Sequence, residues 1–78
     1  MRRDITTGIV SDPDILGGRP VLSGRRIAIS QLVDQLAGGM TLVEIQDDYQ
    51  LTDDEIRALL NYIAQVVRQD ELTHVQHA

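Results

Sequence analysis

Arg19, Arg25 and Arg26 fall close together in a chain whose remaining charge is mostly acidic. A guanidinium is permanently charged and presents a planar fork of donors, so these side chains suit carboxylate or phosphate oxygens. They stand among Asp12-Pro13-Asp14, Gly17-Gly18, Pro20 and Ser23-Gly24, a stretch that holds both prolines of the chain. Gly and Pro cost a helix interior about 1 and 3 kcal/mol respectively. Segment 9–27 is therefore built of turns and minimal strands, and its arginines are placed where a partner can reach them. The competing account for each is internal pairing with Asp12, Asp14 or Asp34, and for Arg26 the anchoring of its own loop.

The other groups with chemical potential are weaker. Asp12 and Asp14 could begin a cation site, but a hard cation wants about six oxygens and no further acidic cluster lies nearby in sequence. Turn capping accounts for them better, because Asp bonds its own local backbone. His74 and His77 could share a helical face, yet they lack a third ligand for zinc. Cysteine is absent, which excludes disulfides and thiolate metal sites. With no histidine before residue 74, nucleophilic and histidine-based acid–base catalysis lack their parts. Neither an enzyme, nor a cofactor, nor a bound metal is expected.

The elements that must position the arginines follow from pattern. Residues 1–8 read as a flexible lead. Ile9-Val10-Ser11 and Pro20-Val21-Leu22 can form two short strands, with Gly17-Gly18 supplying a turn between them. A first helix is predicted from about Ser30 to Ala37, where Ile29, Leu32, Val33 and Leu36 fall at helical spacing before Gly38-Gly39. Thr41 with Glu44, and Thr52 with Glu55, each make a capping box that opens a further helix. The second helix buries Leu42, Ile45 and Tyr49; the third runs to about Gln69. The expected organisation is one domain, 1–78, with a turn-rich ribbon (9–27), a three-helix bundle (28–69) and a frayed tail (70–78).

Seventy-eight residues without cysteine, Phe or Trp leave an aliphatic core and little of it. A chain this short gains burial by oligomerising. The apolar stripe of the third helix is wide, and its edge at Leu59, Tyr62 and Val66 is the expected homodimer contact; the alternative is that the N-terminal ribbon covers it. No run of about 18 apolar residues exists, and the opening residues lack the apolar stretch of a secretory signal. The expectation is a soluble cytoplasmic protein with no membrane partner.

Charge separates the two halves. Residues 1–39 sum to +1 and residues 40–78 to −6, within a net charge of −5; lysine is absent. Gln50-Leu51-Thr52 joins the last two helices at helix-turn-helix length. In a DNA-reading pair the start of the third helix would face the bases. Here that start is Asp53-Asp54-Glu55, which repels phosphate and forfeits counterion release. Those carboxylates complement the helix dipole instead. Any DNA contact falls to Arg2, Arg3, Arg19, Arg25 or Arg26.

The run Asp12-Pro13-Asp14-Ile15-Leu16-Gly17-Gly18-Arg19-Pro20-Val21-Leu22-Ser23-Gly24-Arg25-Arg26-Ile27 resembles the signature of the domain of unknown function 433 family. The likeness extends over residues 9 to about 64. The joint presence of Gly-Gly-Arg-Pro and Gly-x-Arg-Ile makes it specific. Arg19 and Arg26 match the pattern, whereas Arg25 stands where the family usually has Thr. The resemblance implies a mainly α fold, a three-helix bundle of homeodomain-like or helix-turn-helix type with a short N-terminal β-ribbon. It also implies the antitoxin of a type II toxin–antitoxin pair, binding a PIN-like ribonuclease toxin and its own operator DNA. Arg19, Arg25 and Arg26 are then the expected toxin- or nucleic-acid-binding residues. The rival expectations are a DNA-binding regulator without a toxin and a dimeric protein-interaction module.

Overall fold

A computed structural model describes residues 1–75. Three antiparallel strands, β1 (Arg3–Thr6), β2 (Ile9–Ser11) and β3 (Val21–Leu22), lie in the order β1-β2-β3. Three helices follow: α1 (Ile29–Ala37), α2 (Leu42–Tyr49) and α3 (Asp53–Val75). The result is a small helical bundle headed by a ribbon, as the pattern predicts.

The ribbon differs from expectation in one respect. Residues 3–6 form a strand rather than a flexible lead, pairing Arg3 with Ser11, Asp4 with Val10 and Thr6 with Ile9 across a bulge. Ile5 and Thr6 are β-formers, and Gly8 supplies the positive φ of 80° that turns β1 into β2. Ile5 packs against the core, which rewards the pairing. β2 meets β3 with Ile9 opposite Leu22 and Val10 opposite Val21. Val21 also bridges to Ala28, so the chain between them is a tight excursion off the sheet.

The helix boundaries follow local chemistry. Thr41 and Thr52 both cap as expected: the Glu44 and Glu55 amides donate to the threonine hydroxyls at 3.1 Å. Each glutamate returns the bond, accepting from the cap residue's own amide at 2.9 Å. α1 ends where the Met40 amide turns back to the Gln35 carbonyl at 3.0 Å. α2 ends with Gln50 in the left-handed region, φ 55°, and the Leu51 amide returning to the Gln46 carbonyl at 2.9 Å. Leu51 is buried beside that closure, giving the apolar contact such helix ends commonly carry. α3 continues to Val75, past the expected end near Gln69; residues 76–78 of the expected frayed tail lie outside the described residues.

One core joins all the elements. Ile9 and Leu22 come from the sheet, Ile29 and Leu32 from α1, Ile45 from α2, and Ala58 and Leu59 from α3. Truncating such a fully buried Leu or Ile to Ala costs about 2–5 kcal/mol, a large share of a small domain's stability. Tyr49 fastens α2 to α1, its hydroxyl accepting from the Gln31 and Gln35 amides at 3.1 and 2.8 Å.

Gly8 also lies close against α3. A Cβ placed on it would lie 2.8 Å from the Ala58 Cβ, while one on Gly17 (φ 67°) would meet nothing. Gly17→Ala therefore carries only backbone strain, about 1 kcal/mol. Gly8→Ala adds a clash that neither partner can relieve by rotating, for about 2–3 kcal/mol in all. Urea denaturation of the two variants separates these costs; equal losses would mean the ribbon is free to lift off α3.

Candidate binding surface

The arginine-bearing segment is ordered by its own polar groups. Asp12 Oδ1 accepts from the Asp14 amide at 2.9 Å, the turn-capping role predicted for it, and the Asp12 carbonyl accepts from the Ile15 amide at 2.9 Å. The Ser11 hydroxyl donates to the Gly18 carbonyl at 2.6 Å, folding the loop back on β2. Leu16, Gly17 and Gly18 have φ of 49°, 67° and 84° in succession. This left-handed run delivers Arg19 into extended backbone, φ −67° and ψ 148°, just before β3. Its side chain is exposed, with Nε donating to the Leu16 carbonyl at a long 3.4 Å.

Arg25 and Arg26 sit side by side and do different things. The turn that carries them closes with the Arg25 amide on the Leu22 carbonyl at 3.0 Å. The Arg25 guanidinium folds inward. Nε donates to Glu55 Oε2, Nη2 to Glu55 Oε1 and the Gln50 carbonyl at 2.9 Å each, and Nη1 to the Tyr49 carbonyl at 3.1 Å. It thus satisfies carbonyls at the end of α2 and the carboxylate that caps α3, in a geometry that leaves the pair 31% and 21% exposed. Arg26 differs. It is exposed, and among the described residues no carboxylate pairs with it.

The Arg25 hydrogen bonds, and after them the Thr52 amide, hold the Glu55 carboxyl below the usual carboxylate range against the opposing effect of burial. Glu55 in turn raises Arg25 further above an already high value. The sequence alone groups Arg25 with its neighbours as partner-binding residues. The residue it pairs with lies thirty positions later, and no local pattern links them.

The start of α3 stays acidic and solvated. Asp53 Oδ1 accepts from Gln46 Nε2 at 2.7 Å, and Asp54 lies 3.7 Å from Arg57 in an exposed pair. Arg2 is similarly occupied at the sheet edge, with Asp4 at 3.7 Å and the Ser23 hydroxyl at 3.1 Å.

The expected dimer-contact residues separate. Leu59 is fully buried within the protomer's own core, so it has no surface to give a second copy. The breadth of the stripe misled here, because β2 and β3 pack directly on this part of α3. Tyr62 is half-buried and Val66 is exposed; with Pro20, Ile29 and Val33 they line an apolar groove of about 430 Å³ between α1 and α3. Among the described residues no group of His, Asp and Glu side chains could hold a metal ion, and no helix is long and apolar enough to cross a membrane. Of the two histidines, His77 lies outside the described residues.

The molecule is thus a three-helix domain whose last two helices meet in a three-residue turn, with an N-terminal antiparallel ribbon presenting arginine on its loops. The chain belongs to the family described as Protein of unknown function (DUF433), whose profile matches residues 9–63, from β2 to the middle of α3. No curated protein and no solved structure matches it.

The lowered Glu55 sets a pH dependence. A carboxylate with a depressed folded-state pKa contributes stability above its unfolded value, about 4.3, and loses it as pH falls through the folded value. Glu44, lowered by its bonds from the Thr41 amide and hydroxyl, acts in the same direction. Thermal melts should thus show a falling Tm between about pH 5 and pH 3. Glu55→Gln should melt lower than the parent at neutral pH and decline less steeply in acid. Parallel pH curves for the two proteins would refute the assignment.

Proposed function

We propose that this protein is the antitoxin of a type II toxin–antitoxin pair and that it neutralises a PIN-like ribonuclease through Arg19 and Arg26. The observation that carries the reading is Arg26: an exposed guanidinium on an ordered turn, without a carboxylate partner among the described residues, in a molecule of net charge −5. Arg19, exposed and bonded among the described residues to the Leu16 carbonyl at 3.4 Å, is the second available fork. Both arginines lie within the residues that the family profile matches.

The chemistry is charge competition. A PIN-like nuclease gathers carboxylates to hold Mg²⁺, and the metal stabilises charge developing on the cleaved phosphate. A guanidinium delivered into that cluster satisfies the same oxygens with bidentate hydrogen bonds. The acidic half of the antitoxin, −6 over residues 40–78, complements a basic RNA-binding rim around such a cleft. Arg25 takes no direct part, because its donors are already engaged within the chain. Operator DNA is a second ligand for the same arginines rather than for α3, whose exposed Asp53 and Asp54 oppose phosphate.

The test is capture of the ribonuclease encoded beside this gene, together with an RNA-cleavage assay. Arg26→Ala and Arg19→Ala should each weaken capture by tenfold or more, since truncating one partner of a desolvated charge pair costs about 2–5 kcal/mol. Both should keep the parental circular dichroism. Undiminished capture and inhibition by the double variant would overturn the proposal. Salt-dependent operator binding without any nuclease binding would favour a regulator instead.

A further inference from the structure

The second half of α3 has surface that the fold does not use. Every described side chain from Val66 to Thr73 is exposed. Arg57, Leu60, Ala64, Val67 and Glu71 follow at alternating spacings of three and four residues, so they share one strip of the helix. All five are exposed, Leu60 at 42% and Val67 at 49%. The apolar groove with Val33, Tyr62 and Val66 borders this strip.

We propose that this strip joins two copies of the chain, α3 against α3 of the partner, antiparallel across a twofold axis at Ala64. Charge selects the occupant and its direction. Read in reverse, the strip runs Glu, Val, Ala, Leu, Arg. An antiparallel copy therefore sets Arg57 against Glu71 at both ends, Leu60 against Val67, and Ala64 against itself. A parallel copy would oppose Arg57 to Arg57 and Glu71 to Glu71, which like charges disfavour. Ala64 on the axis lets the two backbones approach closely. Such a contact is isologous and closed, so it stops at two copies.

This contact differs from the one expected from sequence, since Leu59 is internal and Leu60 takes its place. It does not rest on the toxin reading, because the protein alone should form it.

Sedimentation equilibrium of the isolated full chain tests it, with the expected mass twice 8.7 kDa. Leu60→Glu and Val67→Glu should each raise the dissociation constant by at least about tenfold with helicity retained, as expected for central apolar contacts. Arg57→Glu should weaken the dimer, and adding Glu71→Arg should restore it. The chain has no cysteine, so Ala64→Cys places one thiol per copy, and a short bis-maleimide should link two copies at that position. A monomer up to millimolar concentration would overturn the proposal. So would a dimer indifferent to Leu60 and Val67, or a charge reversal that the second substitution fails to rescue.

Discussion

The Arg25 guanidinium ties the β3 turn to the junction between α2 and α3. Two carbonyls at the end of α2 receive donors from it, and the Glu55 carboxylate gains further donors beside the Thr52 amide, at the turn where the helices change direction. Such carbonyls have no intrahelical partners, and the guanidinium fork supplies several donors from one rigid group. Because Arg25 itself hangs from the β3 turn, the ribbon and the helical pair are fixed in one arrangement. Glu55 serves twice, capping α3 through Thr52 and receiving Arg25. Losing that carboxylate opens a cap and a latch together.

This internal role changes how the basic segment should be read. Three neighbouring arginines look alike as a sequence, but the fold divides them by burial and partner. Arg25 belongs to the scaffold, whereas Arg19 and Arg26 remain outside it on turns whose backbone is already hydrogen-bonded. An arginine displayed on an ordered turn loses less entropy on binding than one on a free loop. The position where family likeness leads one to expect threonine thus carries a cation bonded to the end of α2 and the start of α3.

What could be seen in the sequence was mostly local. Thr41 with Glu44 and Thr52 with Glu55 announced two helix starts, and both boxes form as the spacing requires. Gly38-Gly39 marked a helix end, and Asp12 its turn. What escaped was non-local. Strand β1 exists because β2 offers it an edge and Ile5 finds the core, neither of which residues 1–8 reveal alone. Leu59 and Leu60 are equally apolar neighbours, and only the placement of the sheet buries one and leaves the other in solvent. The Arg25–Glu55 pair spans thirty residues and has no periodic signature.

The latch also sets an angle. α3 is a single rod of twenty-three residues, about 34 Å long at 1.5 Å per residue. Its azimuth about its own axis is not fixed by apolar packing alone, since a greasy stripe tolerates small rotations. A two-pronged polar bond does not tolerate them: with side chains reaching about 5–6 Å from the axis, a turn of roughly 20° would carry the Glu55 carboxylate some 2 Å away from Arg25. The bond at one end of the rod therefore acts with the buried Ala58 and Leu59 to set the compass bearing of Leu60, Ala64 and Val67 further along it.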